Sequence, residues 1–316
     1  MSRRMRLAWL ACAVAALPHG VARAADPAPA GGAKPAAPSA AASAAAESAD
    51  PTSGLTIDRF EWSGAPAGAK VVVVENDYGD VRIRGTEGDD VVEVHTVVQR
   101  LDSGGEKLAL AVERLGAAIV IRVEYPPAPA ARPDPDARSK RARLDRADIA
   151  VFVPEDVRLE LRTRKGIVDV TEFEGENVEA ETESGAIRVV AEKSVRARST
   201  SGPIHVLVRE ADGKAPMWLE SESGSIEAEL PPEIDLDVRA RTGGKIDLGY
   251  PTKVESKAGL SRASFLLGKG QRVLVVESGT GDVRIAPAPA WKPERESQRA
   301  REDEREREEK RERERR

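Results

Sequence analysis

One short phrase recurs through the middle of the chain and restricts it to a repeating β architecture. It runs apolar, x, Ser/Thr/Asn, two residues, Gly, x, apolar, x, apolar. Copies occupy 74–83, 161–170, 180–189, 197–206, 219–228 and 276–285. A looser copy over 238–248 carries a one-residue insertion at Gly243-Gly244. Between Gly166 and Gly244 the glycines recur about every 20 residues, a β-solenoid period. Each unit offers one strand into a glycine corner and one strand out of it. The corner residues are Gly79, Gly166, Gly185, Gly202, Gly224, Gly243 and Gly281, and the expected reason for glycine there is a positive φ.

Side-chain alternation assigns the remaining positions. The apolar residue that opens the phrase and the Ser, Thr or Asn two places later fall on one face of the strand. That hydroxyl or amide can bond the backbone of the bend, and successive copies can stack into a polar ladder. The apolar residues after the glycine, such as Ile187 and Val189, point into the coil. The outward second position reads Arg162, Glu181, Arg198, Glu220, Arg239 in successive copies, alternating in sign. Stacked strands lie about 4.8 Å apart, where opposite charges favour pairing by roughly 0.2–1 kcal/mol. The series therefore predicts parallel, in-register coils.

The predicted fold is all-β: a parallel β-solenoid of the β-helix or β-roll kind over 55–286, with its repeat core at about 157–250. Open strand edges invite aggregation, so both ends need covers. N-terminal strands within 55–125 are expected to cap one end. A C-terminal hairpin of 263–267 and 272–277, turning at Gly268-Lys269-Gly270, is expected to cap the other. Segment 126–145, rich in Pro and Arg, reads as an exposed loop.

The flanks have different compositions. Residues 1–6 are basic, 7–17 apolar, and Ala22-Arg23-Ala24 is a small-x-small site. This is the order of a secretory signal peptide spanning 1–24. Its apolar run falls short of the roughly 20 residues a membrane helix needs, and no later stretch supplies them. Ser2-Arg3-Arg4 is a poor twin-arginine signal because Arg6 stands where an apolar residue belongs. Cys12 lacks the preceding aliphatic residue of a lipidation site. It is the one cysteine of the chain, so the mature protein would have no disulfide and no cysteinyl metal site. Residues 25–54, mainly Ala, Pro, Gly and Ser, read as a flexible linker. Residues 287–316 form a Glu/Arg-rich tail whose charges nearly cancel, which does not suit a nucleic-acid arm.

Val153-Pro154-Glu155, then Leu159-Glu160-Leu161, then chained Ser/Thr-x-Ser-Gly-x-Ile phrases resemble the bacterial putative-adhesin family of unknown function. The resemblance covers most of 71–285. It implies a β-solenoid in an exported or envelope protein, with adhesion as the proposed role and no catalytic motif to transfer.

Chemistry-bearing residues are sparse. His205 falls at an outward position between Arg188 and Glu227, as a member of a solvated ladder. The serines follow the repeat, no Gly-x-Ser-x-Gly elbow is present, and Gly268-Lys269-Gly270-Gln271 lacks phosphate-loop spacing. Residues 76–80 and 87–90 carry oxygen ligands without EF-hand spacing, and turn formation explains them. No catalytic, cofactor or metal site is expected. The loop at 209–216 leads into Met217-Trp218 and supplies a contact edge of Asp212, Lys214 and Trp218; the alternative is a tolerated insertion with Trp218 buried. The expected role is a non-enzymatic, exported cell-envelope protein, periplasmic if the cell has two membranes, with the cell surface or secretion as alternatives, acting as adhesin or scaffold. Its partner would be an envelope protein or glycan; oligomeric state is left open. A polysaccharide-acting β-helix enzyme is the alternative. That chemistry wants paired carboxylates flanked by aromatics, and aromatics are only 3% of the chain.

Overall fold

The structure is a computed structural model that describes residues 43–49, 56–66, 68–86, 91–100, 108–125, 145–209 and 215–288. The expected signal peptide, most of the linker, most of the 126–145 loop and nearly all of the charged tail lie outside these residues. Every regular element described is a β-strand. The chain opens with β1 (Ser43–Ala49), β2 (Thr56–Gly64), β3 (Val71–Tyr78), β4 (Val81–Thr86), β5 (Val92–Arg100) and β6 (Ala109–Leu115). It continues through β7 (Ala118–Glu124), β8 (Arg146–Pro154), β9 (Arg158–Lys165), β10 (Val168–Phe173), β11 (Val178–Ser184) and β12 (Ile187–Ala191). Then come β13 (Val195–Ser199), β14 (Ile204–Val208), β15 (Met217–Ser221), β16 (Ile226–Leu230), β17 (Leu236–Thr242) and β18 (Ile246–Leu248). The last are β19 (Glu255–Lys257), β20 (Leu260–Leu267), β21 (Arg272–Ser278) and β22 (Val283–Pro287).

These strands form two 11-stranded sheets. Each coil gives one strand to sheet B, turns at a corner, and gives the next to sheet A. Sheet B stacks β7, β3, β9, β11, β13, β15, β21 and β17, and sheet A stacks their successors β8, β4, β10, β12, β14, β16, β22 and β18. Neighbours within these runs are parallel. The fold is therefore a parallel β-solenoid flattened into two sheets. The inward residues of both, largely Val, Ile, Leu and Ala, form one buried cluster. β-branched side chains with few rotamers suit that pleated, narrow interior.

The corner glycines form a column. A Cβ placed on Gly166 would lie 1.9 Å from the Gly79 carbonyl oxygen, and one on Gly185 would lie 1.9 Å from that of Gly166. The same holds for Gly202 on Gly185 at 1.5 Å, Gly224 on Gly202 at 2.0 Å and Gly281 on Gly224 at 2.1 Å. Positive φ, the expected reason, applies only to Gly79 at 131° and Gly185 at 144° among the seven. The shared cause is the close approach of stacked backbones, which leaves no room for a side chain.

Next to this column runs the polar ladder. Asn76, Thr163, Thr182, Ser199, Ser221, Ser278 and Thr242 are in register across sheet B, and all are buried. Ser221 Oγ accepts the Gly224 N–H at 2.8 Å and donates to the Gly202 carbonyl of the preceding coil at 3.5 Å. Ser278 does the same with Gly281 at 2.9 Å and Gly224 at 2.9 Å. The hydroxyl thus closes its own corner and ties it to the next.

Stacking order departs from chain order at both ends. β7 and β8 lie outside β3 and β4, although they come later in the chain. At the other end, β21 and β22 insert between the β15–β16 coil and the β17–β18 coil. This corrects the expected C-terminal hairpin: 272–277 does not pair with 263–267, because β17 stands between them. The link 268–271 crosses the start of β17, where the Asp235 carboxylate accepts the Lys269 N–H at 2.7 Å. The hairpin that caps sheet B is β19–β20, with β20 antiparallel to β17.

The insertion also corrects the charge series. Glu277, not Arg239, follows Glu220. Arg239 faces Val275 across the strands and holds Asp237 on its own strand at 2.6 Å. The last copy of the phrase begins at Ala240, in register with Val276, so it is one residue shorter than the others rather than longer. Gly244, beside Gly243, consequently takes the corner contact with Thr242.

At the N-terminal end, β2 and β5 extend sheet A in antiparallel fashion and β6 does so for sheet B. Ser43–Ala49, inside the stretch read as a flexible linker, adds β1 to the edge of β2. Backbone pairing to an open edge needs no apolar side chains, so an Ala/Ser run can serve.

Candidate functional site

The corners and the interior are taken up by packing, which leaves the outer sheet faces for recognition. On sheet B one outward row reads Arg122, Glu75, Arg162, Glu181, Arg198, Glu220, Glu277, Arg241, Arg262, Glu255 across successive strands. The sign alternates from Arg122 to Glu220. Glu75 holds Arg122 at 2.9 Å and Arg162 at 3.3 Å, and Arg198 meets Glu220 at 3.9 Å. The Glu75 hydrogen bond pushes the Arg122 guanidinium above its ordinary value. These pairs are exposed, so they set register more than they add stability.

Trp218 breaks the charged surface. It is 38% exposed, so of the two alternatives the buried one is excluded. The Arg196 guanidinium lies 5.3 Å from its ring centroid. Together they border a shallow trough of about 270 Å³ along Glu160, Arg162, Glu179, Glu181 and Arg198. Sheet alternation turns Trp218 outward, between the inward Met217 and Leu219. Asp212 and Lys214, the other members of the expected contact edge, lie outside the described residues.

Sheet A carries a second outward row, which extends the expected series of Arg188, His205 and Glu227: Arg82, Asp169, Arg188, His205, Glu227, Arg284, Asp247. His205 occupies the ladder position expected for it. The donor atoms of His205, Glu227 and Glu229 lie within 4.8 Å of one another, a spacing compatible with a metal ion. Arg284 already holds Glu227 at 2.8 Å, and His205 Nε2 lies 3.4 Å from Glu229. Each of the three side chains thus has a protein partner of its own.

Within 76–80, Asn76 and Asp80 are engaged in the fold. Asn76 donates through Nδ2 to the Ala147 carbonyl at 2.8 Å, and Asp80 accepts the Ile167 N–H at 3.0 Å and meets Arg146 at 3.0 Å. The acids at 87–90 lie outside the described residues. The sequence also offered no pointer to Arg241 facing Arg262, because that contact depends on the pairing of β17 with β20.

Comparison with known proteins supplies the family. The family described as Toastrack DUF4097 matches residues 65–286. Among solved structures, a putative cell adhesion protein from Clostridium sporogenes is 14% identical, covers 72% of this chain and 99% of its own, and superposes with a TM-score of 0.42. A putative adhesin from Bacteroides fragilis is 10% identical, covers 72% of this chain and 96% of its own, with a TM-score of 0.31. No curated protein matches the chain.

Proposed function

The chain belongs to the Toastrack DUF4097 family, and on that premise we propose that it is a non-enzymatic, exported cell-envelope protein that uses its solenoid as a binding surface, in the manner of an adhesin or scaffold. The observation that carries this reading is the exposed Trp218 stacked with Arg196 in the middle of the sheet B face. An outward aromatic with a cation on it is the composition of a binding hot spot. The repeat holds the strands of that face in register, because Ser199, Ser221, Thr242 and Ser278 each accept an N–H of their own corner.

Export rests on the three-part leader at 1–24, followed by an Ala/Pro-rich spacer ahead of β1. No helix among the described residues is long and apolar enough to cross a membrane. The partner in this reading is an envelope protein or glycan, and the Glu/Arg tail is a further docking or spacing element.

The test is quantitative binding of purified mature chain to isolated envelopes and to a panel of cell-wall glycans, with cell fractionation of a tagged copy. Trp218→Ala and Arg196→Ala should each weaken binding at least tenfold while the melting curve stays in place. Equal binding by wild type and both variants would overturn the assignment of this face. Depolymerisation of a glycan in the panel would overturn the non-enzymatic reading.

A further inference from the structure

We propose that the C-terminal end of sheet B holds a second binding site, a cleft for carboxylate-bearing oligosaccharide, independent of Trp218. The cleft is open, of about 720 Å³, and lies between β17, β20 and the segment leading into β19. Arg239, Arg241, Lys253 and Arg262 line it, against the two acids Glu255 and Glu277. Its volume is within the usual range of small-ligand sites, about 300–1,000 Å³.

The charge row contains a conflict. Arg241 and Arg262 face each other directly on antiparallel strands, where like charges are unfavourable. Each has a carboxylate one strand further on, Glu277 for Arg241 and Glu255 for Arg262. Yet neither guanidinium forms an ion pair with any described residue, nor does Lys253. Arg122, Arg162 and Arg198, in the same row, all do. Two unpaired guanidiniums on adjacent strands, opening into a cleft, form an anion receptor that the carboxylates of a ligand can complete. Each planar guanidinium can grip a carboxylate with two parallel hydrogen bonds.

The rest of the lining selects among anions. Glu255 and Glu277 would repel a ligand of dense negative charge such as a polyphosphate. They offer acceptors to hydroxyl groups, as Thr252 and Ser264 offer hydroxyls of their own. A sugar chain with one carboxylate per unit combines both requirements. The far wall is held in place: the Thr252 N–H donates to the Tyr250 carbonyl at 2.8 Å, and the Tyr250 ring packs on Phe265 at 5.6 Å.

The probe is trigalacturonate, titrated calorimetrically into the full mature chain, beside its methyl-ester form and inorganic phosphate. The free acid should bind with a dissociation constant of about 1 mM or tighter, and binding should weaken as salt is raised. Esterification should reduce affinity at least tenfold, a comparison that needs no variant. Arg241→Gln with Arg262→Gln should do the same, and Glu93→Ala, on β5 of the other sheet, should change nothing. Three results would each overturn the proposal: no binding of the free acid, equal binding of acid and ester, or phosphate binding as tightly as the trisaccharide.

Discussion

Gly202 lies against Gly185 so closely that a Cβ built on Gly202 would stand 1.5 Å from the Gly185 carbonyl oxygen. Only Gly185 of the two has a positive φ, so backbone strain and steric approach can be separated. Gly202→Ala should destabilise by about 1–3 kcal/mol or more in urea unfolding, the range for forcing an extra carbon into a packed site. Gly185→Ala should cost at least as much, since it adds strain to the clash. If Gly202→Ala leaves the unfolding midpoint unchanged, close approach is not what selects glycine in the column.

The polar ladder makes a contrasting pair. Ser221 both accepts from Gly224 and donates to Gly202, so Ser221→Ala strands a buried N–H and should cost about 1–3 kcal/mol. The Thr182 hydroxyl is buried with no hydrogen-bond partner. Thr182→Val, which keeps the shape and removes that orphan, should be neutral or stabilising. Paired denaturation curves compare the two, and equal losses would contradict the assignment.

How much of this was legible in the sequence depends on the range of the interaction. The Ser/Thr-x-x-Gly corner is local, so the repeat revealed its strands, its inward apolar residues and the buried hydroxyl. The identity of each corner's neighbour is not local. Glu220 was followed by Arg239 in the sequence and is followed by Glu277 in the sheet, because insertion of a distant strand leaves no mark on the strands it separates. The Arg241–Arg262 contact was invisible for the same reason. Trp218 could be singled out from its place next to a loop, whereas its stacking with Arg196 required the register of β13 with β15.

The N-terminal cap contains a buried ion pair. Arg100, whose side chain is 2% exposed, donates through Nε to Asp58 at 2.6 Å, and Asp58 is 14% exposed. Removing Asp58 takes this carboxylate from a buried guanidinium, a change whose upper range is about 3–5 kcal/mol. Asp58→Ala should therefore lower the thermal midpoint well beyond a surface substitution such as Glu93→Ala. An equal effect would mean that the pair contributes nothing to the cap.

Tyr125, immediately after β7, is bonded to the first corner. Its phenol accepts the Tyr78 N–H at 3.1 Å and shares its proton between Asn76 Oδ1 at 2.8 Å and the Tyr78 carbonyl at 2.7 Å. Burial pushes this phenol above its ordinary value of 10.0. The unfolded chain ionises near pH 10 while the folded chain keeps its proton. The stability from Tyr125 is thus complete below about pH 10 and is lost as pH rises further. Unfolding measured from pH 8 to 11 should show that decline, and Tyr125→Phe should flatten it. Tyr250, also raised by burial, accounts for a residual slope. An identical decline in the variant would contradict the assignment.

The stacking order places Glu277 beside Arg241 and assembles the cleft. Cys12 is the sole cysteine of the full chain and lies in the expected leader, so paired cysteines can report the order directly in mature protein. Glu220→Cys with Glu277→Cys puts thiols on adjacent strands about 4.8 Å apart, within disulfide reach. Glu220→Cys with Arg241→Cys puts them two strands apart, beyond it. Mild oxidation followed by mass spectrometry should find the first pair cross-linked and the second free. A disulfide in the second pair and none in the first would contradict the insertion of β21 between β15 and β17.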